Sequence, residues 1–330
     1  MNKTKFLIIR FSSIGDIILT SPLLRCIKNQ VENAEIHFVT KSKYADLVSA
    51  NPHIDKIHYL NEHIGPLIRE LKDEKPDYMI DLHRNFRSFR IKRALHIPSY
   101  SFHKLNFRKW LLVKFKIDLL PNLHIVDRYF QTISKFRVTS DGKGLEYFIP
   151  QGKEFDWNRL PCDFQEGYIA FIIGGTYATK RLPAEKILHI CRALPYPVVL
   201  LGGIHESENS LIIERNTGNH VLNLVGKTSI YESASLISHA NVVLTNDTGM
   251  MHIAAAFGKK ILSFWGNTVP KLGMFPYLPH PDSEIMQVKN LDCRPCSKLG
   301  YPKCPKKHFR CMYDQDIPAA ISWVTRNFSE

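Results

Sequence analysis

The 330-residue chain is 44% hydrophobic and 23% charged, with a formal net charge of +13. That balance is ordinary for a folded globular protein and excludes a collagen-like, low-complexity or disordered chain. At roughly 150 residues per domain, the length predicts two domains.

Two lysines precede the apolar run Phe6-Leu7-Ile8-Ile9, which Arg10 closes. A signal peptide needs an apolar core of roughly 7–15 residues and a membrane span about 20, so neither is expected and a cytoplasmic address follows. Residues 5–11 are rich in β-branched and apolar side chains and predict a buried parallel strand. Residues 17–29 have helical spacing, with Pro22 inside the run to kink or split it. Strands are predicted at 35–39, 56–60 and 78–82, with a connecting helix across 67–72. The stretch 143–165, with Pro150, Gly152 and Pro161, reads as irregular and places a domain boundary near 150. The second half repeats the alternation, with strands at 168–173, 197–201, 241–245 and 260–265, an Ala-rich helix at 250–257 and a final helix at 317–327. Such alternation predicts an α/β protein with parallel sheets in two doubly wound, Rossmann-like halves. Ligands then bind beyond the carboxyl ends of the strands, and a cleft between two domains is the natural active site.

Three segments lie at such strand ends. Ser12-Ser13-Ile14-Gly15-Asp16 follows the first strand, and its single glycine excludes a dinucleotide fingerprint. Asp16 at a helix start is favoured as the anion. It reads as a proton acceptor for a substrate hydroxyl, with a helix cap as the alternative. Gly174-Gly175-Thr176-Tyr177-Ala178-Thr179-Lys180-Arg181-Leu182-Pro183 offers close backbone approach, the hydroxyls of Thr176 and Thr179, and the charge of Lys180. It reads as a phosphate site or as a plain surface loop. Thr245-Asn246-Asp247-Thr248-Gly249-Met250-Met251-His252 joins a buried strand to the Ala-rich helix. Asp247 or Thr248 suits the cap, the N–H groups of Thr248 and Gly249 suit an anion, and His252 lies within reach.

Of the seven cysteines, Cys26, Cys162 and Cys191 are scattered and expected to be buried. Cys293, Cys296, Cys304 and Cys311 form C-x2-C-x7-C-x6-C, either a zinc ligand set or reduced, packed thiols. Residues 84–116 hold ten Lys or Arg and no Asp or Glu. This patch suits phosphate, nucleic acid or anionic lipid, or is a solvated face. Its aromatics are Phe86, Phe89, Phe102, Phe107 and Trp110.

In order along nearly the whole chain, the stretches Phe6 to Asp16, Thr179 to Pro183, Asn223 to Ser229, Thr245 to Gly258 and Phe264 to Thr268 resemble glycosyltransferase family 9, the ADP-heptose:lipopolysaccharide heptosyltransferases. The resemblance implies a GT-B fold of two facing Rossmann-like domains. Residues 1–150 would take the acceptor and 151–330 the nucleotide-sugar donor, with the last helix packing back on the N-terminal domain. It implies an inverting, metal-independent transfer with no cofactor. Asp16 matches the general base, and Lys180 the diphosphate-binding lysine. Asp247, Thr248, Gly249 and His252 match the donor loop. Glu232 lies one residue out of register with the family's ribose-binding acid, and Met250 stands where the family often has proline. Thr176 falls with the donor residues, and Ser13, Arg84 and Arg87 on the acceptor side.

The partners implied are ADP-heptose and a phosphorylated, lipid-linked glycan, with peripheral contact to the anionic inner-membrane surface. A nucleotide-sugar epimerase of similar architecture is the rival enzyme, and a basic nucleic-acid-binding protein the rival without catalysis. No nucleic-acid module is recognisable, so no nucleic-acid partner is expected.

Overall fold

The computed structural model describes residues 3–328 and divides into two units. One takes the chain up to Leu105 together with Leu123–Pro150, and the other takes Asn106–Asn122 and everything from Gln151 onward. Met1, Asn2, Ser329 and Glu330, at the outer limits of the expected domains, lie outside the described residues.

In the first unit β1 (Thr4–Ile9), β2 (Ala34–Lys41), β3 (Lys56–Leu60), β4 (Tyr78–Asp81) and β5 (Ser99–Ser101) form a parallel sheet in the order β3-β2-β1-β4-β5. The helices along this stretch are α1 (Ile14–Ile18), α2 (Ser21–Gln30), α3 (Ile64–Glu74) and α4 (Phe86–Leu95). Next comes α5 (Asn106–Phe115), in the segment that groups with the second unit, and α6 (Ile125–Thr132) returns to the first. The apolar run Phe6–Ile9 is fully buried because β1 is central and covered on both faces. Pro22 splits the expected 17–29 helix. It sits in the first turn of α2, where its missing N–H leaves no helical bond unmade. Arg25 of α2 clamps the end of the unit, its fork spanning both carboxylate oxygens of Asp141 at 2.7 and 2.8 Å.

The second unit carries β6 (Ile169–Ile172), β7 (Val198–Leu201), β8 (Val221–Asn223), β9 (Val242–Asn246), β10 (Lys260–Trp265) and β11 (Glu284–Gln287), parallel in the order β11-β10-β9-β6-β7-β8. Its later helices are α7 (Ala184–Ala193), α8 (Ser207–Arg215), α9 (Ile230–His239), α10 (Gly249–Ala256), α11 (Arg310–Tyr313) and α12 (Ile317–Phe328). The core joins Phe171, Leu200, Leu244, Phe264 and Trp323. The indole N–H of Trp323 donates to the Asp282 carbonyl at 2.9 Å, so a buried aromatic keeps its polar handle paired. The last helix, α12, packs on α7, β9 and β10 of its own unit.

The expected α/β class with two parallel sheets is what the chain adopts. In each sheet the chain winds outward one way from a central strand and then restarts on that strand's other side. The switch lies between β1 and β4 in one sheet and between β6 and β9 in the other. The carboxyl ends at such a switch leave a crevice for ligands. No helix among the described residues is long and apolar enough to cross a membrane.

Candidate active site

At the first switch point, the loop after β1 turns into α1. Ser13 caps α1 and Asp16 is its third residue. The Asp16 carboxylate accepts from the Ser13 N–H at 3.1 Å and from the Ser13 hydroxyl at 2.8 Å. The helix-cap alternative for this segment is therefore present, but only one carboxylate oxygen serves it. The other meets the Arg10 guanidinium at 2.5 Å. Arg10 is buried, and its remaining donors go to the Ser12 and Leu82 carbonyls, so it ties the β1 loop to the end of β4. Burial pushes the Asp16 carboxyl up, but the Arg10 charge and the hydrogen bonds from Ser13 and Arg10 outweigh it. The net position is below the ordinary carboxylate value. Asp16 is thus an anion at neutral pH, and its side chain keeps 20% of its surface open.

The loop after β4 supplies the other wall. Asp81 accepts from the backbone N–H of His83 and Arg84 and from the Ser88 hydroxyl, which fixes the turn. His83 packs edge-on against Phe11, and burial with the nearby Arg10 charge pushes it down to about 3, so it is neutral. Its Nδ1 is buried without a partner. Arg84 donates to the Phe102 carbonyl at 3.3 Å, while Arg87 stands exposed on α4.

At the second switch point, Asn246 ends β9 and locks the β6 loop. Its amide donates to the Ile173 and Gly174 carbonyls and its oxygen accepts from the Leu182 N–H, each at 3.0–3.1 Å. Asp247 does not cap α10. One of its oxygens pairs with the Lys180 ammonium at 2.6 Å and also accepts from the Thr268 hydroxyl at 2.7 Å. Thr248 holds the cap position of α10 without a side-chain cap bond, and its hydroxyl is buried and unpaired. His252 is buried in the first turn or so of α10. An ammonium has three donors. Lys180 therefore keeps donors for an anion while Asp247 holds it beside the helix N-terminus.

Thr176 is exposed on the same β6 loop. Glu232 lies in the first turn of α9, after β8 at the sheet edge, where it accepts from the Ser229 N–H at 2.7 Å and pairs with Arg159 at 2.9 Å. The structure thus joins Lys180, Asp247 and Thr248 in one place and leaves Glu232 in a helix-capping box. Arg10, His83 and Thr268 are the neighbours that sequence reasoning passed over. The signal for Arg10 was a charge directly after the apolar run Phe6–Ile9.

One other expectation changes. Cys162 is exposed, because it sits on a short turn before β6 and not in the core. All seven cysteines are free, and no group of three or more His, Cys, Asp or Glu among the described residues is placed to hold a metal ion. The zinc reading of Cys293, Cys296, Cys304 and Cys311 has no ligand set here. In the basic patch Phe102 is buried, whereas Phe86, Phe89, Phe107 and Trp110 are at least half exposed.

Two parallel, doubly wound sheets, each with polar groups gathered at its switch point, are the architecture of the GT-B fold. A solved Escherichia coli ADP-heptose lipopolysaccharide heptosyltransferase II has a similar fold, with a TM-score of 0.73 at 19% identity and 98% of each chain covered. So does an E. coli heptosyltransferase solved with ADP, at 0.69 and 20%, covering 98% of this chain and 99% of that one. In sequence the chain is 22% identical over 299 residues to lipopolysaccharide heptosyltransferase 2 of E. coli K12, across 81% of this chain and 84% of that protein. Residues 64–303 match the family model for glycosyltransferase family 9 (heptosyltransferase), and the chain belongs to that family. It is a glycosyltransferase.

Proposed function

We propose that the chain transfers a heptose from ADP-heptose to a lipopolysaccharide core or related envelope glycan by an inverting, metal-independent displacement. The observation that carries this reading is the Lys180–Asp247–Thr268 arrangement at the N-terminus of α10, a cation and a helix end at one strand switch. The names of the relatives point to the sugar and the acceptor, and the neighbour solved with ADP points to the nucleotide.

The first unit takes the acceptor and the second the donor. Asp16 accepts the proton of the acceptor hydroxyl as its oxygen bonds to the anomeric carbon. The bond from that carbon to the diphosphate breaks, and its electron pair leaves on the phosphate oxygen. Charge then builds on ADP, where Lys180 and the N–H groups of Thr248 and Gly249 stabilise it. Preorganised donors of this kind contribute about 3–4 kcal/mol each. Thr176 and His252 line the donor side. Glu232 contacts the ribose once Arg159 lets it go. The site needs no metal because lysine and helix supply the positive charge. Incubation with ADP-heptose and a heptose-deficient core should give an acceptor one heptose heavier. A product formed equally well from another nucleotide sugar would overturn the donor assignment.

Arg84 and Arg87, with Ser13, meet acceptor phosphates, since guanidinium binds phosphate through parallel hydrogen bonds. Reversing the charge at both arginines is expected to raise the acceptor KM about tenfold or more while donor KM stays put. An unchanged acceptor KM would remove them from the site.

The same acceptor is lipid-linked, and α5 has the composition of a membrane-surface helix. Phe107 is 70% and Trp110 51% exposed, Phe115 is exposed beside them, and Arg108 and Lys114 stand among them. Apolar groups of that kind dip into a surface while basic ones meet its anionic headgroups. The enzyme works in the cytoplasm on the inner face of the membrane. Reversing Lys109 and Lys114 is expected to lower binding to phosphatidylglycerol vesicles, at about 1 kcal/mol per charge removed. Transfer to a soluble acceptor fragment should be spared. Equal vesicle binding would leave α5 as a solvated face.

A further inference from the structure

Lys180 is held by more than its carboxylate. After β11 the chain runs through Arg294 and Tyr301 and reaches back over the donor site. Arg294 is partly buried and aims its guanidinium at the carbonyls of Gly266 (2.5 Å), Thr268 (2.9 Å), Trp265 (3.2 Å) and Val288 (2.6 Å), and at the Gln287 side chain (3.1 Å). Trp265 ends β10, and the Gly266 and Thr268 carbonyls belong to the turn after it, whose Thr268 hydroxyl holds Asp247. Two residues further, the Cys296 N–H donates to the Asn267 carbonyl at 2.9 Å.

The same segment grips the lysine's own loop. Tyr301 donates its N–H to the Thr179 hydroxyl at 2.8 Å, and its carbonyl accepts from both the N–H and the hydroxyl of Thr179, the residue before Lys180. Two glycines allow this closeness. A Cβ on Gly266 would stand 2.7 Å from the Thr179 carbonyl oxygen. One on Gly300, at φ +140°, would stand 2.5 Å from Tyr177. The outer side is braced by Lys116, which donates to the Cys293 and Pro295 carbonyls on either side of Arg294.

We propose that Arg294 is a positioning residue for the nucleoside-diphosphate site: it sets the turn that carries Thr268, and through Thr268 and Asp247 it aims the Lys180 ammonium. This rests on the reading of Lys180 as the donor-binding lysine. The role needs a planar fork with five donors, because the acceptors lie on two strand ends at once. Lysine would keep the charge but reach few of them.

A double-mutant cycle tests it, with ADP as the probe and calorimetry as the readout. Arg294→Lys is expected to weaken ADP about tenfold and to raise the donor KM while the acceptor KM stays constant. In a Lys180→Ala background, the same change should cost less than about twofold, since residues that act through one another are not additive. A merely structural role would lower Tm, move both KM values and cost the same in either background, and that pattern would overturn the proposal. If Arg294→Lys does not fold, Thr268→Val removes only the hydroxyl to Asp247 and carries the same cycle. If Lys180→Ala alone leaves ADP binding unchanged, the reading of Lys180 falls and the positioning role with it. If Lys180→Ala weakens ADP and neither Arg294→Lys nor Thr268→Val does, the positioning role falls alone.

Discussion

Asp16→Asn is expected to lower turnover by about 10²–10⁴, the usual worth of a general base, and to leave ADP affinity unchanged. Asparagine keeps the shape and can still accept from Ser13, so the fold of α1 should survive. What is lost is a negative oxygen able to take a proton. The pH dependence adds a sharper check. The Asp16 carboxyl lies below its ordinary value of 3.8, so the base stays ionised as pH falls until that depressed value is reached. Any stability from its ion pair is likewise present above the unfolded-state value and lost as pH falls through the folded one. In Arg10→Gln the main opposing charge is gone and burial dominates. The acid limb of kcat/KM should then move to higher pH. A limb that stays in place would mean that Arg10 does not set the carboxylate, and full activity in Asp16→Asn would leave Asp16 as a cap alone.

Lys180→Ala should weaken ADP binding by about 10–100-fold and slow transfer by at least as much, because one charge-assisted contact to phosphate is worth about 1.5–3 kcal/mol. Part of that loss comes from Asp247. With the ammonium gone, its carboxylate keeps the Thr268 hydroxyl but no longer a balancing charge from Lys180, and repels the diphosphate. Lys180→Ala/Asp247→Asn should therefore recover some affinity over Lys180→Ala alone. Chelation with EDTA should change neither binding nor rate in the wild type. A strict magnesium requirement would mean that a metal carries the leaving-group charge and that the lysine does not.

The central strands were legible from sequence, and three of the four edge strands were not. Residues 56–60 and 260–265 read as strands and are strands, and β1, β4, β6, β7 and β9 lie within a residue or two of where apolar runs place them. The edge strands β5, β8 and β11 escaped, while the fourth edge strand, β3, did not. Ser99–Ser101 has no apolar run, Val221–Asn223 is three residues long, and Glu284–Gln287 is half exposed. An edge strand is paired on one side and wet on the other, so its composition carries little signal. At the site, the residues on strand ends could be named from their motifs. Their partners could not. Asp247 and Lys180 are 67 positions apart, and nothing local to Thr245-Asn246-Asp247-Thr248 says that the cap position falls to Thr248 while the Asp247 carboxylate goes to the lysine. Arg294 stands among cysteines that drew attention to metal, while its own work is to gather carbonyls.

The segment Asn106–Asn122 interrupts the first unit in sequence and belongs to the second in space. The chain therefore passes from one unit to the other three times, at 105, 122 and 150, and the second unit is not a contiguous piece of sequence. A fragment that starts at Gln151 lacks Lys116, and with it the bonds to the Cys293 and Pro295 carbonyls on either side of Arg294. The same holds for chimeras between relatives. A single crossover at residue 150 joins one parent's α5 to the rest of the other parent's second unit, so a faithful exchange of the two units has to carry 106–122 along with 151–330.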